Sequence, residues 1–155
     1  MTHDPAFDAA AVARGIIDRA PTGTLATLTA DGWPFASLVT VAAGNGGAPL
    51  MLLSDLAEHT RNLGRDPRAS LLLVAPDGEG GDTLAGARVS LIGTVAVSAD
   101  GDDRARFLAR HPEAERTAAF ADFRFYRLAI SRAHLVAGFG RIADVDGAEL
   151  RPRSS

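Results

Sequence analysis

Residues 87–98, ARVSLIGTVAVS, alternate apolar and polar side chains with a period of two. Val89, Leu91, Val95 and Val97 fall on one side, and Arg88, Ser90, Thr94 and Ser98 on the other, with Ile92 the apolar residue that breaks the pattern. That period sends alternate residues to opposite faces of a strand, so the segment belongs in a sheet with one buried face. Shorter runs repeat the theme. TLATLTA (24–30) and PFASLVTVA (34–42) flank Asp31-Gly32, a hairpin signal, and GNGG (44–47) precedes PLMLLS (49–54). RASLLLVA (68–75) is apolar enough to predict burial on both faces, and FRFYRLAIS (123–131) and AHLVAGFG (133–140) read as the last two strands. Many short strands must hide their edges, and closing an antiparallel barrel does this.

Helical patterns fall between these runs. Over 4–20, Asp4 reads as N-cap, Pro5 as first helical residue, and Phe7, Ala11, Val12, Gly15 and Ile16 as the apolar stripe, ended by Pro21-Thr22-Gly23. Residues 55–64 predict a short helix capped by Ser54 or Asp55, with Glu58 in the capping-box position and Gly64 as C′. Two more helices are expected over 102–112 and 113–123, the second opened by Pro112. DGEGGD (77–82) reads as a loop and 150–155 as a frayed tail. The expected class is α+β, mainly β: an antiparallel split barrel in one domain over 1–155, its open ends plugged by helices.

Composition narrows the function. With 155 residues, roughly 68–70% of the unfolded chain's surface can be buried, enough for a real core. There is no cysteine, which removes disulfides, thiolate metal sites and cysteine nucleophiles and fits a cytoplasmic location. The first twenty residues lack a basic start and an unbroken apolar core, and no run reaches the roughly 20 apolar residues of a membrane span. A net charge of −3 gives no support for nucleic acid or a membrane surface as partner. All 16 basic residues are Arg, so any phosphate must be held by Arg, His, hydroxyls or backbone N–H groups.

The polar run inside LSDLAEHTRNLGRDPRASLLL (53–73) offers that chemistry. A helix N-terminus suits an anion, Ser54 and Thr60 add donors, and His59 and Arg61 add charge. The same residues also read as a capped, solvated helix, and Asp55 and Glu58 favour that reading. Ser37 shares a strand face with Phe35, Val39 and Val41, where a hydroxyl needs a partner from a ligand or, by default, from backbone. Arg88 lies on the polar face of the alternating strand, where a solvated side chain or a surface ion pair is the ordinary outcome. GFGR (138–141) is weak on its own, more often a bulge than a binding feature. The four histidines, His3, His59, His111 and His134, lack metal-ligand spacing, and no nucleophile elbow or P-loop occurs, so no metal site and no catalytic residue is assigned.

The series GTLATL (23–28), PFASLV (34–39), PLMLLSDLAEHTRNLGRDPRASLLL (49–73), ARVSLIG (87–93), RFLARHPEA (106–114), FADFRFYRL (120–128) and GFGR (138–141) resembles the pyridoxamine 5'-phosphate oxidase-like FMN-binding split barrels. Within them it is most similar to the haem-utilisation (HugZ-like) branch. The resemblance implies a homodimer with two FMN sites at the subunit interface. It implies an isoalloxazine ring along Ser37, Leu38 and Val39, and a phosphate held by Ser54, His59, Thr60 and Arg61. Asn62 and Arg68 belong to the same signature, and Arg88 is expected to reach in from the partner. The expected function is flavin-dependent oxidation or reduction of a small molecule. The alternatives are a haem-binding or haem-degrading protein and a flavin-free dimeric binding module. The chain departs from the oxidases in lacking their substrate-binding C-terminal Arg and His. It departs from the haem-degrading members in having no histidine after His134.

Overall fold

The alternating pattern becomes seven antiparallel strands in the computed structural model, which describes residues 7–76, 86–138 and 140–151. These are β1 (Thr22–Leu28), β2 (Pro34–Ala43), β3 (Pro49–Ser54), β4 (Arg68–Val74), β5 (Arg88–Val97), β6 (Phe123–Val136) and β7 (Ile142–Asp146). Their order is β3-β2-β1-β4-β5-β6-β7, and β3 also pairs with β6. That extra pairing closes β1 to β6 into a six-stranded antiparallel barrel, and β7 extends the sheet beyond β6. Four helices accompany it among the described residues: α1 (Ala9–Arg19), α2 (Glu58–Arg65), α3 (Gly101–Arg110) and α4 (Glu115–Ala118). The expected α+β split barrel is therefore present.

The β1–β2 hairpin turns at Asp31-Gly32 as expected. Gly32 has φ 84°, a conformation that costs other residues a Cβ clash, and Thr29 braces the turn through its hydroxyl on Asp31 and on the Trp33 N–H. Inward residues from every barrel strand form the core, including Leu25, Val41, Met51, Leu71, Leu91 and Leu128, and α1 covers one part of it with Ala13, Ile16 and Ile17. A smaller apolar cluster joins α3 to the outside of β2, β3 and β6 through Phe107, Leu50, Ala42 and Phe125.

β6 does two jobs because it bends. Its first half pairs with β3, from Phe123 opposite Ser54 to Arg127 opposite Leu50, and closes the barrel. Its second half, Arg132 to Val136, carries β7. Between them the β5–β6 register shifts: Ile92 faces Arg132 while Gly93 faces Ile130, leaving Ser131 as the extra residue of a bulge. One extra residue reverses the phase, so Tyr126 and Leu128 point inward before it and Ala133 and Leu135 after it.

Several expectations are corrected. The first helix begins at Ala9 with Asp8 as N-cap, its carboxylate accepting from the Ala11 N–H; residues 4–6 lie outside the described residues. α2 begins at Glu58 after Ala57, with no side-chain cap, because Ser54 is the last residue of β3 and its hydroxyl is engaged elsewhere. Gly64 lies inside α2 and Asp66 is its C-cap. The 113–123 helix shortens to a 3-10 turn over Pro112–Ala114 and the four residues of α4, because Phe123 is drawn into pairing with Ser54. β4 is buried on one face only: Leu71 and Leu73 enter the core and Leu72 points outward. Val97 is exposed at the strand end, and Ile92 lies on the outer face while Gly93 takes the inward position. The two final strands are one, and β7 follows. Residues 149 and 150 close an ordered 3-10 turn, Gly147–Leu150, held by a capping box between Asp146 and Glu149. The 77–82 loop, Phe139 and residues 152–155 lie outside the described residues.

Candidate functional site

α2 packs against β1 and β2. Within it, the Nε2 atom of His59 and the Oγ1 atom of Thr60 are buried without a hydrogen-bond partner. Buried polar atoms are nearly always satisfied, so two adjacent unsatisfied ones mark a place that a bound group could complete. Desolvation by burial holds the His59 imidazole below its ordinary pKa, so it is neutral at pH 7.

Other residues of the polar run are committed within the chain. The Ser54 hydroxyl donates to Asp122 at 3.1 Å and accepts from the Leu56 N–H at 3.1 Å. Arg61 donates to the Leu56 carbonyl at 2.9 Å and lies 3.8 Å from Glu58. Asn62 is fully buried, donating to the Thr27 hydroxyl and accepting from Arg65, which ties α2 to β1. Arg68 grips Asp66 with two nitrogens, and this hydrogen-bonded pairing lowers the Asp66 pKa to about 2.

Strand alternation separates the ring-facing candidates. Val39 is in the core, Ser37 is half-buried in phase with it, and Leu38 points outward with 78% of its surface exposed. Arg88 sits at the far end of β5, opposite Val74 of β4 and Val136 of β6. Val74 is six residue steps along β4 from Arg68, about 20 Å along a strand. The fold thus gathers Ser54, His59, Thr60, Arg61 and Asn62, and holds Arg88 apart from them within one chain.

The outer sheet face forms a second constellation. Cross-strand pairs run Leu38–Thr24–Leu72–Ser90–His134–Asp144 across β2, β1, β4, β5, β6 and β7. Directly paired residues share a face, so this is one row on the barrel exterior. Leu72 is 39% exposed and Ile142, two residues from Asp144 on the same face, 55%. The His134 side chain is 48% exposed, and its Nδ1–H donates to Asp144 at 2.8 Å. Arg132 lies on this face two residues before His134, and Arg88 is opposite Val136, two residues after it.

Sequence reasoning missed Asp144, because a five-residue strand reading IADVD carries almost no alternation of its own. It also missed the pairing of Arg127 with fully buried Asp103, which accepts from Arg127 at 2.9 Å, Ser98 at 2.7 Å and the Asn45 N–H at 2.9 Å. This group holds the β2–β3 turn to α3. Beside it a cleft of about 780 Å³ is lined by Arg106, Arg127, Arg151 and Asp18. Arg106 and Arg127 are already paired with Asp102 and Asp103, so the cleft offers an anion little net charge.

The family model for the CREG β-barrel matches residues 4–150. A heme-binding protein from Mycobacterium smegmatis is 39% identical and superposes with a TM-score of 0.86, covering 96% of this chain and 61% of that one. Protein CREG1 of Mus musculus is 30% identical over 88% of this chain and 70% of its own length. The non-canonical heme oxygenase HOZ, chloroplastic, of Arabidopsis thaliana is 32% identical over 81% of this chain and 39% of its own length. The chain thus spans about two fifths of the plant protein and three fifths of the mycobacterial one.

Proposed function

This chain belongs to the CREG β-barrel family, and from its likeness to relatives named for haem we propose that it binds haem on the outer face of its sheet. The carrying observation is the row that sets exposed Leu72 in line with half-exposed His134. Haem is a flat apolar macrocycle with two carboxylates and an iron that accepts a nitrogen ligand. The face offers Leu72, Val74, Val136 and Ile142 to the macrocycle, an imidazole to the iron, and Arg132 to a carboxylate. When bound, haem supplies iron-centred redox chemistry, while the chain binds it and orients it. The likeness to proteins named for haem supports this reading over a flavin oxidoreductase.

FMN is the second reading, favoured by the unpartnered atoms of His59 and Thr60. A phosphate there would accept from the Thr60 hydroxyl and from the His59 imidazole, with Ser54 and Arg61 at the rim and Leu38 available to the ring from the outer face. A flavin-dependent oxidoreductase of a small molecule follows from that reading. A cytoplasmic location goes with either, supported by the absence of cysteine.

Separate titrations of the purified chain with haemin and with FMN, followed by visible absorption and dialysis, test the two. Retention of haemin with a sharpened Soret band, and no retention of FMN, is the expected result. Retention of FMN alone, abolished in a His59→Ala/Thr60→Ala variant, transfers the assignment to α2. Because burial holds the His59 pKa below its ordinary value, FMN affinity in that case rises as pH falls through the imidazole's lowered titration range, where protonation supplies a positive partner for the phosphate.

A further inference from the structure

We infer that His134 would hold the haem iron through its imidazole and that Asp144 is its positioning residue; this rests on the haem-binding reading. An iron ligand must be a ring nitrogen with a free lone pair and room around it. Asp144 accepts the Nδ1–H of His134 at 2.8 Å, which fixes the tautomer and leaves the lone pair on Nε2. Ligating histidines commonly make this second hydrogen bond to a carboxylate, because it holds the ring in one orientation and raises its basicity. The two residues are direct cross-strand partners on β6 and β7, so paired backbone sets their separation.

The other described histidines do not meet the requirement. His111 is buried, with its Nε2 on the Val41 carbonyl at 2.7 Å and Glu113 3.3 Å from its Nδ1. The Nε2 of His59 is buried. No group of three or more His, Asp or Glu side chains able to hold a bare metal ion occurs among the described residues. A single oriented imidazole suits a metal that already has four nitrogens from a macrocycle. The surroundings fit the same ligand. Arg132 stands two residues before His134 on the same face, able to meet a haem carboxylate, and Val136 and Ile142 form an apolar cross-strand pair beside the histidine.

Ferric haemin titrated into the full chain, read by visible absorption, electron paramagnetic resonance and resonance Raman, is the experiment. Wild-type protein is expected to give a histidine-ligated spectrum. His134→Ala is expected to lose it and to weaken haemin binding at least about tenfold, with the spectrum restored by added imidazole. Because His134 points outward, circular dichroism of the variant should match wild type. Asp144→Asn is expected to keep the ligand but lower the iron–histidine stretching frequency of the reduced complex, which loss of packing alone would not do. Haemin bound by His134→Ala with an unchanged spectrum overturns the ligand assignment and leaves the haem reading standing. An unchanged stretching frequency in Asp144→Asn overturns the positioning role. Absence of haemin binding by wild type overturns both the reading and the inference.

Discussion

Asp103 is fully buried and carries a charge, so its partners decide whether it helps or harms the fold. Burial pushes its carboxyl up, but bonds from the Asn45 N–H, the Ser98 hydroxyl and the Arg127 guanidinium outweigh that and hold its pKa below the ordinary 3.8. A depressed carboxylate contributes stability above its unfolded pKa and loses it as pH falls through the folded one. Asp103→Ala should therefore cost about 3 kcal/mol at pH 7, since it strands Arg127 and two further donors. Thermal melts from pH 7 to pH 2 check this. Wild type should converge on the variant at the acid end, and parallel curves would show that the carboxylate contributes no pH-dependent stability.

Among the elements, β6 is the one on which the barrel and the candidate haem face both depend. At its bend Gly93 of β5 lies so close that an added Cβ would stand 1.9 Å from the Ala129 carbonyl oxygen. Backbone cannot move aside there without breaking the ladder. Gly93→Ala should therefore destabilise the protein by about 3 kcal/mol, the upper end of overpacking costs. Chemical denaturation measures it, and a midpoint equal to wild type would mean that the strands separate there at no cost. Because the bulge also sets the phase of the second half of β6, the variant should disturb the outward placement of Arg132 and His134.

At the scale of the whole molecule, the exposed apolar surface needs an explanation. Trp33 is 69% exposed, Leu38 78%, and Leu56 and Phe120 also stand open. Apolar surface left open, where it is contiguous, marks contact sites. A homodimer is the proposal that the sequence resemblance already suggested, with a second copy covering the β1–β2 end of the outer face and leaving the β5–β7 end for the ligand. Sedimentation equilibrium should report twice the 16.1 kDa chain mass for wild type and a shift toward monomer for Leu38→Asp. A wild-type monomer at micromolar concentration would remove the dimer.

The barrel was legible because alternation and turn chemistry are local: a residue's neighbours two positions away already state which face is buried, and Asp31-Gly32 states where the chain reverses. By itself the sequence determined the first five strands, the short helix after β3 and the polar run that α2 carries. Tertiary structure decided the rest. Whether FRFYRLAISRAHLV is two strands or one with a phase reversal depends on a bulge set by Gly93 across the ladder. Which hydroxyls and imidazoles are satisfied depends on partners far along the chain, as with Ser54 and Asp122 or Asn62 and Thr27. The pairing of His134 with Asp144 depends on an edge strand too short to announce itself. Long-range register brings such groups together, and register is a property of the closed sheet rather than of any segment in it.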